Sequence, residues 1–88
     1  MVYRGECSLK INERVKMKTG WLRKDELIYT GMPNDHTYSL AMTWSFAHNS
    51  MAYNLFIPVN QKEIRHDYVT IIVKRVTSTG IDLEFQPR

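Results

Sequence analysis

The segment Tyr38–Val59 reads YSLAMTWSFAHNSMAYNLFIPV and alternates between large apolar residues and mostly small polar ones. The large apolar residues occupy every second position on either side of Ala47–Ser50: Tyr38, Leu40, Met42, Trp44, Phe46, Met51, Tyr53, Leu55, Ile57 and Val59. A period of two is typical of a strand that buries one of its faces. The segment therefore predicts two long strands joined by a turn at residues 47–50, with the large apolar residues directed into the core. We call these two strands the central hairpin.

Shorter alternating runs lie on both sides of the central hairpin, at residues 3–11, 14–19, 26–30 and 81–85. Residues 68–76 are the most β-branched run and are apolar on both sides at their centre, which predicts an interior strand covered on both faces. The first two runs predict a hairpin around Asn12-Glu13, although this dipeptide lacks the glycine of the best two-residue turns. A helix over residues 13–22 is the alternative, but Thr19-Gly20 would interrupt it. The alternation therefore favours two paired strands over a helix.

The connections between the runs are rich in residues that favour turns. Gly31–Asp35 combines Gly, Pro, Asn and Asp, and we expect it to turn the chain into the central hairpin. Residues 60–67 are polar and predict a connection, with one helical turn over residues 61–65 as an option. Such local connections predict about seven short antiparallel strands in a compact β-sandwich or small β-barrel. Residues 1–88 are then a single all-β domain.

The composition is that of an ordinary globular protein, with 43% hydrophobic and 24% charged residues. Cys7 is the only cysteine, which excludes an internal disulfide, and we interpret it as a small buried residue. Residues 36–60 carry no Lys, Arg, Asp or Glu, but they alternate and include Asn, Ser and Pro, so they predict no membrane span. The first residues alternate as well and do not predict a secretory signal, so we expect a cytoplasmic location.

Residues capable of catalysis or metal binding do not form a recognisable motif. His36, His48 and His66 lack the close spacing of metal ligands, so no metal site is predicted. Ser50 is outside a GxSxG motif, the glycines stand singly, and no acid is expected in the apolar middle, where burial would tune it. We therefore expect a protein that is not an enzyme and has no catalytic residues, metal or cofactor.

The net charge of +3 is unevenly distributed along the chain. Residues 1–24 hold seven of the twelve basic groups, whereas residues 25–60 hold none. Basic side chains with an aromatic ring between them could follow a phosphate backbone while the ring stacks on a base. The candidates for such contacts are Arg14, Lys16, Lys18, Trp21, Arg23 and Lys24. A small β-barrel that binds single-stranded nucleic acid is therefore the alternative function, and a solvated edge strand is the simpler interpretation of the same residues.

The second face of the central hairpin departs most from an ordinary solvent-exposed sheet. We call it the small-residue face, because it lacks charge and consists mainly of small side chains: Ser39, Ala41, Thr43, Ser45, Ala52, Asn54 and Phe56. Such a face lets another layer approach closely, which could be the protein's own second sheet, a second copy or a different protein. Coverage within the single chain, or a small-residue face in contact with solvent, is the simpler interpretation. We therefore expect an interaction module that forms a homo-oligomer or binds a protein partner through this face. A small-ligand pocket formed by His48, Tyr53 and Asn54 is a third hypothesis.

Overall fold

The computed structural model describes residues 2–47, 49–66 and 68–87 and shows an all-β protein, as predicted. Its strands are β1 Gly5–Lys10, β2 Arg14–Gly20, β3 Arg23–Asn34, β4 Thr37–Phe46, β5 Asn49–Pro58, β6 Glu63–His66, β7 Val69–Val76 and β8 Gly80–Pro87. There are thus eight strands in the described residues, rather than about seven. The described part of the chain contains no helical membrane span.

The strands form two four-stranded antiparallel sheets. Sheet I has the order β2-β3-β4-β5, in which consecutive strands are neighbours, and sheet II has the order β1-β8-β7-β6. The chain passes from sheet II to sheet I after β1 and returns after β5. This two-sheet arrangement is that of a β-sandwich, and it leaves β5 at one edge of sheet I.

One hydrophobic core lies between the sheets and receives side chains from all eight strands. The central hairpin contributes Tyr38, Leu40, Met42 and Ile57, each at most 5% exposed. The Tyr38 hydroxyl donates to the Gln61 carbonyl at 3.1 Å, so its polar end has a partner although the ring is buried. About half of the hairpin's apolar face therefore belongs to the core.

The predicted hairpin between the first two runs is wrong, because β1 and β2 lie in different sheets. Asn12 has a positive φ of 69°, and its N–H donates to the Tyr29 carbonyl of β3 at 2.6 Å. The preceding Ile11 N–H donates to the Thr79 carbonyl, beside β8, at 3.3 Å. The reversal thus bonds to both sheets and carries the chain from one to the other.

The predicted turn at Gly31–Asp35 is largely strand, because β3 continues to Asn34. Gly31 has a φ of 102°, and the register between β3 and β4 shifts on both sides of it. A glycine at positive φ with a register shift is a β-bulge, in which the absence of a side chain removes the steric penalty. The chain turns only at residues 35–36, where the His36 N–H donates to Asn34 Oδ1 at 2.8 Å.

The polar connection at residues 60–67 contains β6, and the described residues 61–65 do not form the optional helical turn. Ile64 is 7% exposed and pairs with Ile71 of β7. Ile64 is the one buried residue of this four-residue strand, which lies at the edge of sheet II.

Candidate interaction surface

β5 lies at the edge of sheet I and exposes most of its length to solvent. Eight of its ten residues are exposed, and none of the ten is charged. β4 pairs with one side of β5 without a register shift, from Thr37↔Pro58 to Phe46↔Asn49. Within residues 2–47, 49–66 and 68–87, no strand pairs with the other side, which we call the free edge.

The free edge presents backbone groups as well as side chains. The Val59 N–H donates to the His36 carbonyl at 2.9 Å, directly beyond the last pair of the β4–β5 ladder. Since bonded and non-bonded pairs alternate along an antiparallel ladder, the odd-numbered residues of β5 bond to β4. The even-numbered residues therefore direct their N–H and C=O groups to the free edge: Ser50, Ala52, Asn54 and Phe56. Pro58 has no N–H and ends this row.

The other three sheet edges carry features that discourage pairing with a further strand. β6 has four residues, two of them charged, and β1 has six residues, also with two charges. β2 carries Lys16 and Lys18 with a register shift between them, and the Tyr3 N–H donates to the Met17 carbonyl at 2.8 Å. Short, charged, bulged or covered edges are the usual protections against edge pairing. β5 has none of them before Pro58, which distinguishes its edge from the others.

The small-residue face lies on the side of sheet I away from the core. Its residues are neighbours in the observed register, since Ser39 pairs with Phe56, Ala41 with Asn54, Thr43 with Ala52 and Ser45 with Ser50. Sheet II does not cover this face, and Phe56 is 67% exposed. Ser39 is buried because its hydroxyl contacts Thr30 Oγ1 at 2.6 Å and donates to the Gly31 carbonyl at 3.1 Å. The protein's own second sheet is thus excluded as the layer over this face.

The uncharged character of this side of sheet I is confined to β4 and β5. On β3, Glu26 pairs with Thr43 and is only 5% exposed. Its carboxylate lies 3.4 Å from Arg14 Nη1 and 3.6 Å from Lys24 Nζ. An ion-pair cluster therefore borders the small-residue face on the side away from the free edge.

The core-side face of the central hairpin is uncovered near its turn, which corrects the prediction that its whole apolar face is buried. Phe46, Met51 and Tyr53 are 46%, 65% and 43% exposed. The rings of Trp44 and Phe46 stack along β4 with centroids 6.5 Å apart. Apolar groups therefore flank the free edge of β5 on both faces of the sheet.

A cavity of about 200 Å³ lies beneath this uncovered part and is lined by Asp25, Trp44, Tyr53 and His66, among others. Tyr53 Oη lies 3.1 Å from His66 Nε2. Of the residues in the third hypothesis, only Tyr53 is placed here: Asn54 is on the small-residue face, and His48 lies outside the described residues.

Asp25 lies within β3 and is 2% exposed. Its carboxylate lies 3.2 Å from Arg23 Nη2 and accepts a 2.7 Å hydrogen bond from the Tyr68 hydroxyl. The contact joins β3 of sheet I to the start of β7 in sheet II. The buried carboxylate is thus ion-paired to Arg23 and hydrogen-bonded to Tyr68, and through Tyr68 it connects the two sheets. Asp25 alternates in step with the core residues Leu27 and Tyr29. This alternation was the sequence signal that its side chain points inward.

The basic residues of the alternative function are divided between the two sides of sheet I. Arg14, Lys16 and Lys24 are on the side of Glu26, with Arg14 and Lys24 ion-paired to it. The register shift places Lys18 opposite Asp25, and its Nζ lies 4.8 Å from the centroid of the Tyr68 ring. Trp21 is 89% exposed, in the turn between β2 and β3. The structure therefore does not unite the six residues in one stripe.

Other potentially reactive groups are not concentrated at a site. Burial raises the pKa of the Cys7 thiol, with a further contribution from Glu13, so the reactive thiolate is disfavoured. Among the described residues, no three His, Cys, Asp or Glu side chains are grouped closely enough to hold a metal ion. No protein-family model, no curated protein and no solved structure matches this chain.

Proposed function

We propose that the protein is a non-enzymatic interaction module that binds an extended protein strand along the free edge of β5. The observation that carries this proposal is a ten-residue edge strand without charge whose outer backbone groups lack a strand partner in the described structure. In strand addition, backbone hydrogen bonds supply affinity, and side chains on alternating positions supply specificity.

The surroundings of the free edge support the same function. An added strand would continue the small-residue face on one side and contact Met51 and Tyr53 on the other. Contiguous exposed apolar groups of this kind mark interaction surfaces in soluble proteins. The ion pairs of Glu26 lie beyond β4, so an added strand would not have to desolvate them.

The test uses two synthetic strand peptides, each followed by lysines for solubility. One has the β5 sequence NSMAYNLFIP, and the other is an alternating Thr-Val decamer. We expect both to bind the full chain, since the edge is read mainly through the backbone, and fluorescence anisotropy would measure their affinities.

Two variants locate the binding site. Ala52→Pro removes an N–H directed to the free edge, and prolines are tolerated at such positions of edge strands, so the fold should persist while peptide affinity falls at least about tenfold. Arg65→Ala is the control, because this side chain is 75% exposed on β6 at the edge of sheet II and its loss leaves β5 unchanged. Failure of both peptides to bind, or equal affinities for the wild type and Ala52→Pro, would contradict the proposed function.

Binding of single-stranded nucleic acid remains the second candidate, supported by the exposure of Trp21 beside a basic segment. Its distinguishing property is a steep dependence of affinity on salt.

A further inference from the structure

We propose that the strand bound at the free edge of β5 is β5 of a second copy of this chain. The two strands run antiparallel about a twofold axis at Tyr53 and join the two sheets I into one continuous eight-stranded sheet. This inference rests on the proposed function and names its partner.

The backbone selects the register. Only the even-numbered residues of β5 offer N–H and C=O groups to a second strand, so hydrogen-bonded pairs must join even positions. An axis at Tyr53 pairs Ser50 with Phe56 of the second copy and Ala52 with Asn54, and the reciprocal pairs follow by symmetry. All four edge residues are then used, which gives about eight backbone hydrogen bonds at two per bonded pair.

Neighbouring registers leave some N–H or C=O groups of the four edge residues without a partner in β5. An axis at Ala52 would pair Phe56 with residue 48, in the turn beyond the strand. An axis at Asn54 would pair Ser50 with Pro58, which has no N–H. With an axis at Asn54, the Ser50 carbonyl of each copy would therefore lack a donor. The register centred on Tyr53 is the one of the three in which every N–H and C=O group of the four edge residues is bonded within β5.

The charges on the surface fit a second copy. Neither β5 contributes a charged side chain, so the pairing places no like charges opposite each other. The dimer would also protect both unprotected edges with one contact, because a twofold interface is self-complementary and closed. The joined sheet would end at two copies of β2, whose edges carry Lys16 and Lys18.

The side chains next to the axis would be sheltered by the same contact. On the core side, Tyr53 meets Tyr53 of the second copy, and Met51 meets Leu55. Met51 and Tyr53 are 65% and 43% exposed in the single chain, so their burial adds an apolar contribution to the backbone bonds. An interface of this type buries on the order of 1,000 Å², at the small end of specific interfaces, so we expect a weak, reversible dimer.

Sedimentation velocity of the full chain over a concentration series is the first measurement. We expect a reversible monomer–dimer equilibrium with no larger species. A strict monomer, or polymers that grow with concentration, would overturn this inference. If the chain is monomeric while the two strand peptides bind, the proposed function stands and the second copy is the wrong partner.

A charge pair tests the register. In this register the two copies of residue 53 form a non-hydrogen-bonded pair, with their Cα atoms about 4.5 Å apart. Tyr53→Lys should therefore weaken dimerisation at least about tenfold by like-charge repulsion, and Tyr53→Glu should do the same. Mixing the two variants should restore a heterodimer. Absence of restoration in the mixture, or homodimers as strong as the wild type, would contradict an axis at Tyr53.

Phe46→Lys is the matched control, because it adds the same charge at a 46% exposed position on the same face of β4, the strand next to β5, and leaves both copies of β5 unchanged. It should dimerise nearly as well as the wild type, and a loss as large as that of Tyr53→Lys would also contradict the register. Circular dichroism verifies that each variant is folded. Ala52→Pro provides a second route to the same test, since it should abolish the dimer without introducing charge.

Discussion

Tyr38 shows how a single buried side chain links the core to the behaviour of the protein in alkaline solution. The residue is fully buried and bonds to the Gln61 carbonyl. Burial, and secondarily the neighbouring Tyr29, raises the pKa of Tyr38 to about 12. A tyrosine in the unfolded chain ionises at about pH 10, so the folded state keeps the Tyr38 proton over a pH range in which the unfolded state has lost it.

The stability contributed by neutral Tyr38 is therefore complete below about pH 10 and is lost as the pH rises toward 12. We expect the free energy of unfolding of the wild type, measured with urea at several pH values in this range, to fall as the pH rises. Tyr38→Phe should be less stable at neutral pH, because the bond to Gln61 is lost, but its decline should be shallower. Parallel declines in the two proteins would show that Tyr38 does not control this alkaline transition.

At the level of single residues, the sequence predicted the apolar part of the core better than its polar part. Leu40, Met42 and Ile57 are buried as their alternation predicts. Asp25 has the phase of a core residue, yet a carboxylate is buried only where partners neutralise it, and Tyr68 is remote in sequence. The inward direction could be inferred from the alternation, but the partner that makes burial possible could not.

The central hairpin shows that strand length and core length differ. Its alternation continues through Trp44, Phe46 and Met51, but burial ends near Met42, and Phe46 and Met51 are 46% and 65% exposed. A side chain at the end of the hairpin away from its turn therefore stabilises the fold through packing, whereas one near the turn is available for an interaction.

Two matched substitutions measure where the core ends. Met42→Ala should lower the free energy of unfolding by about 2–5 kcal/mol, because it leaves a cavity in a packed interior. Met51→Ala should change it by less than about 0.5 kcal/mol, because most of that side chain is already in solvent. Urea unfolding at protein concentrations below the onset of dimerisation gives both values. A loss of stability of comparable size in Met51→Ala would mean that the part of the hairpin near its turn is packed in the single chain.

Among the elements, the strands with long alternating runs were predictable, and the exceptions have identifiable causes. β6 has four residues and one strongly buried position, which is too short for a period to be recognised. Gly31 and Pro33 favour a turn in isolation, but pairing with β4 keeps them in a strand that bulges at the glycine. In both cases tertiary pairing determined the conformation, and local composition could not show it.

At the scale of the whole molecule, the sequence predicted the fold class but not the assignment of strands to sheets. Alternation is the same for a strand in either sheet, so nothing in residues 5–20 indicates that β1 pairs with β8 and β2 with β3. The candidate surface follows from that assignment. The small-residue face was predicted from its composition, whereas the free edge of β5 required knowledge that β5 is the last strand of sheet I.

The dependence of association on salt separates the two candidate functions for the intact protein. Pairing of two uncharged strands forms no ion pairs and releases few counterions, so the dimer dissociation constant should change less than about threefold between roughly 50 and 500 mM NaCl. Binding of single-stranded nucleic acid through several basic groups would weaken steeply over the same range. Sedimentation velocity of the wild type and anisotropy with a labelled mixed-sequence oligonucleotide, both at the two salt concentrations, make the comparison. Salt-sensitive oligonucleotide binding that Trp21→Ala reduces, in a chain that stays monomeric, would favour the basic segment over β5. A salt-insensitive dimer without oligonucleotide binding would favour β5, because its edge offers backbone groups and apolar side chains rather than charge.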